Sequence, residues 1–158
     1  MSPSKRETTR SASMDKQPSP TSVVTQFLEL LAKGEIDGAV DLLDEDVDYI
    51  NVSLPTIRGR DRVRRVFKTM EKANGSSFEV YFHSISENGS IVLTERTDVL
   101  IWGPMRVQIW VCGRFDVRDG QITRWKDYFD WLNFALAMVR GLIGIVFSSV
   151  RAKPPMVS

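Results

Sequence analysis

One histidine, His83, and one cysteine, Cys112, are all that the chain of 158 residues has of the two side chains most used to hold zinc. That excludes an intramolecular disulfide and any zinc centre of several Cys and His ligands, because both need clustered donors at set spacings. It also leaves catalytic chemistry to carboxylates, arginine, tyrosine and asparagine. Charge of one sign is lacking too. With 21 basic and 20 acidic side chains, the net charge of +1 offers no basic surplus for nucleic acid. No G-x-S-x-G elbow and no glycine-rich phosphate loop occur, which removes α/β-type serine hydrolases and P-loop enzymes. The length fits one domain with its own core. One cysteine permits a reducing compartment without requiring it, residues 1–20 show no secretory h-region, and the protein is expected in the cytoplasm.

Residues 1–20 hold five Ser, three Pro and four basic residues against two Met as large apolar side chains, a composition expected to stay disordered. The domain is expected over 21–150, with a flexible end over 151–158. Val24, Phe27, Leu28 and Leu31 recur at helical spacing, predicting a helix from Thr21 or Ser22 to about Lys33 and a stop at Gly34. Ile36, Ala39, Val40 and Leu43 predict a second, short helix. A strand follows over Asp46 to Val52, then a loop from Pro55 to Gly59. A third helix, capped by Asp61, carries Val63, Val66, Phe67 and Met70 inward and ends at Asn74-Gly75. The arginines from Arg58 to Arg65 read as its solvated face.

From Phe78 onward the pattern alternates. Asn88-Gly89, Gly103-Pro104 and Asp119-Gly120 are turn pairs, so the strands Ser90–Trp102, Met105–Val117 and Gln121–Phe129 are expected to be antiparallel neighbours. Asp130 is placed to cap a last helix over about Trp131 to Phe147. That helix is apolar all round, and it reads as packed against the domain and a second copy of the chain rather than against a membrane surface. Helices followed by a hairpin-connected sheet define an α+β domain. A strongly curved, mostly antiparallel sheet wrapped on the N-terminal helices would be cone-like, with a deep internal pocket.

Several polar residues sit on strand faces that otherwise read apolar, where an unpaired charge is costly. Arg96 and Asp98 share a face with Val92, Thr94 and Leu100. Asp127 stands between Trp125 and Phe129, and Tyr49 and Asn51 project together from the first strand. Each has a plain alternative: an exposed cross-strand ion pair for Arg96 and Asp98, a solvated or capping residue for Asp127, and a core tyrosine beside a turn-adjacent amide for the last two. Periodicity alone does not bring the five together. His83 reads as a surface or edge residue, and Cys112 as a small hydrophobe in mid-strand.

The segments Tyr49-Ile50-Asn51, Glu95-Arg96-Thr97-Asp98 and Arg124-Trp125-Lys126-Asp127-Tyr128-Phe129-Asp130 resemble, in order and spacing, the limonene-1,2-epoxide hydrolase family, over about residues 22–147. The resemblance implies a cone-shaped α+β fold shared with nuclear transport factor, ketosteroid isomerase and polyketide cyclase relatives, a deep pocket and a homodimer. It implies Asp127 as general base, with Tyr49 and Asn51 holding the attacking water, Asp98 as general acid, and Arg96 as the bridge between the two carboxylates. Trp125, Leu100 and Phe129 would line the pocket, and no cofactor is needed. The expected reaction adds water in one step to a hydrophobic epoxide of terpenoid, steroid or fatty-acid type, giving a vicinal diol. The alternatives are a ketosteroid-isomerase-like or polyketide-cyclase-like enzyme and a non-catalytic lipid-binding module of the same fold.

Overall fold

The computed structural model describes residues 17–72 and 76–156. Helix α1 (Pro20–Ala32) opens the fold. Ser19 caps it by accepting from the Ser22 amide, with Pro20 at the first position, where its missing N–H costs nothing. The cap therefore falls two or three residues before the expected Thr21 or Ser22, with proline occupying the first helical position. Gly34 takes a positive φ of 75° just beyond its end, as expected of a helix stop. Helix α2 (Ile36–Asp41), strand β1 (Leu43–Asn51), strand β2 (Ile57–Arg58) and helix α3 (Arg60–Lys72) follow.

β2 lies in what the sequence suggested was only a loop. It makes a two-residue antiparallel pairing with β1, Asp48 facing Arg58 and Tyr49 facing Ile57. Asp61 stands in the first turn of α3 rather than at its cap. The expected stop at Asn74-Gly75 and most of the expected tail lie outside the described residues. At the other end, the Arg151 Nε donates to the Gly144 carbonyl, which ties the segment after the last helix back to it.

Four long strands complete the sheet: β3 (Ser76–Asn88), β4 (Ile91–Trp102), β5 (Met105–Arg118) and β6 (Gln121–Tyr128). Asp119 and Gly120 both adopt positive φ, the conformation that a tight two-residue hairpin requires. Among the described residues the strand order is β2-β1-β6-β5-β4-β3, one open mixed sheet in which only the β1–β6 pair is parallel. That parallel pairing was invisible to local pattern. A bulge between Phe82 and Ser84 shifts the register of β3 and sets His83 outside the ladder, its ring nitrogen 2.8 Å from the Thr97 hydroxyl.

Val23, Val24, Phe27, Leu28 and Leu31 of α1 pack with Ala39, Val40, Val63, Phe115, Ile122 and Trp125 in the main core. Full burial of each large aliphatic or aromatic side chain there contributes about 1.5–3 kcal/mol. On the outer side, Arg58, Arg62 and Arg65 are exposed, as expected of a solvated face, whereas Arg60 and Arg64 are half-buried and Arg64 reaches Asp37, Asp41 and Asp61.

β6 covers β5 only from Cys112 to Arg118. The last helix, α4 (Trp131–Val146), capped by Asp130 at the Leu132 and Asn133 amides, packs against the uncovered part of β5. Phe134, Ala137 and Met138 meet Val107, Ile109 and Val111 in a second, smaller core. The helix is not buried all round. Leu132, Leu136, Val139, Leu142 and Val146 are exposed in the single chain, because only one side of α4 faces β5. Among the described residues no helix is long and apolar enough to cross a membrane.

Gly141 sets how closely α4 can lie: a Cβ there would stand 2.8 Å from the Arg106 carbonyl oxygen and 3.3 Å from Val107 Cγ2. Alanine in a helix interior is ordinarily better than glycine by about 1 kcal/mol. Here the contact is with backbone, which cannot swing aside, so Gly141→Ala is expected to be net destabilising, by about 1–3 kcal/mol in thermal or denaturant unfolding. An unchanged or raised midpoint would show that α4 is not held at this distance.

Candidate active site

The interior face of the sheet brings the five polar residues to one place. β1 and β6 pair with Tyr49 beside Trp125 and Asn51 beside Asp127. β4 and β5 pair with Asp98 facing Ile109 and Arg96 facing Val111, and across β5 Gly113 faces Asp127. The order β1-β6-β5-β4 therefore aligns four strands, each contributing to a cluster that no single strand could build.

Arg96 is the hub. Its side chain is fully buried, and it donates from Nε to Asp98 Oδ1 at 2.9 Å and from Nη2 to Asp127 Oδ1 at 2.8 Å. Nη1 donates to the Thr94 hydroxyl at 3.0 Å, and the guanidinium carbon lies 5.9 Å from the centre of the Phe115 ring. Asp98 and Asp127 are 7% and 5% exposed, which rules out the exposed surface pair that the β4 pattern also allowed. Each carboxylate meets the guanidinium through its Oδ1, so the bridge leaves the Oδ2 atoms to other partners.

Burial governs the electrostatics. It raises the Asp98 carboxyl from the ordinary carboxylate range to about 6. The nearby charge of Asp127 adds to the rise, and Arg96 acts against it. Burial likewise pushes the Tyr49 hydroxyl up, reinforced by the charge of Asp127. For Arg96 burial disfavours the charge, but the two carboxylates outweigh it and hold the guanidinium above its ordinary value, so it stays protonated. One of the two carboxyls therefore holds its proton into the mildly acidic range, beside a permanent cation.

Tyr49 stacks on Trp125 with ring centres 4.1 Å apart, and Phe27 meets Trp125 edge-on at 4.9 Å. The three residues expected to line a pocket fall in two groups. Trp125 belongs to the main core, while Leu100 and Phe129 pack against the second core beneath α4, with Trp102, Met105 and Phe134. Among the described residues, clefts of about 620, 270 and 240 Å³ open away from the cluster, and these are not lined by Arg96, Asp98 or Asp127. Thr94 and Gly113 were passed over in the sequence. Thr94 shares the alternating face with Arg96 and Asp98, and that was the available signal. Nothing local marked Gly113.

A polar cluster buried on one face of an open α+β sheet, with helices packed over that face, places the chain in the NTF2-like fold class. An NTF2-like protein of unknown function from Cytophaga hutchinsonii has the same fold, with a TM-score of 0.61 at 20% identity, over 74% of this chain and 95% of that one. The family is more specific. The model of the limonene-1,2-epoxide hydrolase catalytic domain matches residues 18–140, and the chain belongs to that family. It is 44% identical over 129 residues to the epoxide hydrolase EphG of Mycobacterium tuberculosis, which spans 82% of this chain and 85% of the relative. The solved structure of an M. tuberculosis LEH-like epoxide hydrolase superposes with a TM-score of 0.80 at 41% identity, covering 85% of this chain and 95% of that chain.

Proposed function

We propose that this protein is an epoxide hydrolase that adds water in a single step to a hydrophobic epoxide, of terpenoid, steroid or fatty-acid type, and releases a vicinal diol. The observation that carries the reading is the Asp98–Arg96–Asp127 bridge, two buried carboxyls sharing one guanidinium. Asp127 is the general base. It takes a proton from a water molecule held by Tyr49 and Asn51 as the water oxygen bonds to an epoxide carbon. The carbon–oxygen bond of the ring breaks in the same step, and Asp98, the general acid, gives its proton to the departing oxygen. Acid and base thus act together without a covalent intermediate. A carboxyl raised to about 6 suits the acid, since it can hold a proton near neutrality and still release it.

Leu100 and Phe129 lie on the faces that carry Asp98 and Asp127, and their packing with Phe134 and Met138 provides an apolar wall for the body of the substrate. Trp125 fixes the ring of Tyr49 by stacking on it. No metal or organic cofactor enters the reaction. We assign the protein to the cytoplasm as a homodimer in which the exposed apolar side of α4 meets a second copy. Sedimentation at the mass of a single 17.9 kDa chain would sink the dimer.

The deciding experiment for the reaction is a single turnover of a lipophilic epoxide, with enzyme in excess, in oxygen-18 water. One labelled oxygen in the diol from the first turnover supports direct attack by water. Unlabelled diol in the first turnover, with label only later, means that a carboxylate oxygen was transferred through an ester. Failure to turn over any epoxide in a broad panel overturns the assignment.

A further inference from the structure

We propose that Thr94 and Gly113 are positioning residues for the Arg96 bridge, Gly113 by having no side chain and Thr94 by holding the one guanidinium nitrogen that neither carboxylate uses. This rests on the proposed reaction only in its kinetic consequences.

Arg96 projects from β4 and Asp127 from β6, and β5 runs between them. To reach Asp127, the guanidinium must pass over the backbone of β5. It does so at Gly113, which faces Thr94 on one side and Asp127 on the other. A Cβ on residue 113 would fall 2.2 Å from Arg96 Nη1, 2.7 Å from the Thr94 hydroxyl oxygen and 2.9 Å from the Phe115 ring. All are far inside contact distance, and the Arg96 and Thr94 atoms belong to the hydrogen-bonded bridge. Gly113 serves here through space rather than through backbone freedom, since any side chain would occupy the channel that the guanidinium crosses.

Thr94 completes the arrangement. Its hydroxyl, on a residue only 3% exposed, accepts from Nη1 at 3.0 Å. The guanidinium is planar, so three contacts, to Asp98, Asp127 and Thr94, fix its plane as well as its position. With two contacts it could rock about the line joining the two carboxylates and change how each Oδ2 is presented. The hydroxyl reacts with nothing. It acts through Arg96, and Arg96 acts through the two carboxyls.

The test compares three variants on a terpenoid epoxide. Thr94→Val keeps shape and loses the hydroxyl, and it is expected to lower kcat about tenfold with KM unchanged within about twofold. The pH profile of kcat should shift with it, a change that lost packing alone would not produce. Thr94→Ser restores the hydroxyl and should recover most of kcat and the original profile. Gly113→Ala should lose at least about 100-fold, the scale of a misplacement near 1 Å.

Wild-type kcat and an unshifted profile in Thr94→Val overturn the proposal, as does a loss that serine fails to recover. Gly113→Ala can fail by misfolding, so the threonine pair decides. If the wild-type protein turns over no epoxide, the functional reading falls, but positioning remains decidable by carbon-13 NMR of the Asp98 and Asp127 carboxyls. Titration midpoints that move in Thr94→Val and return in Thr94→Ser support positioning, and midpoints that stay in place overturn it.

Discussion

Asp127→Asn and Asp98→Asn are each expected to lower the turnover of a lipophilic epoxide by at least about 100-fold while leaving the fold in place, because each removes one partner of a concerted proton transfer. An amide oxygen at either position can still accept from Arg96, so the 2.8 Å and 2.9 Å contacts have a neutral counterpart and the bridge need not collapse. The two losses should not multiply in the double variant. Acid and base act in one event, and residues that act as a unit are far from additive. Wild-type rates in both single variants would refute the site.

Asp98→Asn has a second signature, in stability. The Asp98 carboxyl rises from 3.8 to about 6 on folding, so the native state binds its proton more tightly than the unfolded chain does. Its contribution is then fully present below pH 3.8 and is lost as pH rises through about 6. The total is on the order of 3 kcal/mol. Asp37, Glu79 and Glu87 are shifted down and work in the opposite direction, so the wild-type curve alone mixes several groups. The difference between wild type and Asp98→Asn isolates the one carboxyl: denaturant unfolding should show the wild type losing ground relative to the variant across this interval. A flat difference would mean that Asp98 titrates alike in both states.

The second large effect belongs to Arg96. Arg96→Met fills much of the same space but leaves Asp98 and Asp127 buried without a cation, and removing one partner from a buried ionic cluster costs about 3–5 kcal/mol. In a chain of this size that is a fall in melting temperature on the order of 10 °C, with activity lost as well. The deficit should shrink in acid, where protonated carboxyls no longer need the cation. A melting temperature equal to wild type at neutral pH would show that the carboxylates find other partners. Arg96→Lys retains the charge but not the fork, and a single ammonium cannot reproduce three directed contacts, so activity should remain low even where stability partly recovers.

The legible part of this site was the part written in short-range pattern. Alternation along β4 put Arg96 and Asp98 on one face with Val92 and Leu100, and the glycine-containing turns correctly made β3 to β6 antiparallel neighbours. Asp130 was recognisable as the cap of α4 from its place before an apolar run. The convergence of Tyr49 and Asn51 on Asp127 was not legible from pattern, because it depends on a parallel pairing between strands at opposite ends of the domain. Only the resemblance of three short motifs, taken together, pointed to it.

Two other features escaped for different reasons. The bulge at His83 changes which β3 residues face inward, setting Ile85 opposite Thr94, and a period-two reading carries no sign of an inserted residue. The exposed side of α4 escaped because apolar composition tells how much a helix could bury, not how much of it one neighbouring strand can cover. The division of Leu100 and Phe129 from Trp125 between two cores is of the same kind, since it follows from where α4 lands on β5.

The single guanidinium between two carboxyls also has a consequence for how the enzyme would reset. Arg96 with one carboxylate and one carboxylic acid sums to zero, so the bridge is electrically neutral when it holds one proton. Under the proposed reaction it holds one proton before the step, on Asp98, and one after it, on Asp127. The whole cycle then runs at constant charge in a place too dry to welcome a surplus of either sign. Restoring the starting state moves a proton from one end of the bridge to the other, with no net exchange of charge with the solvent.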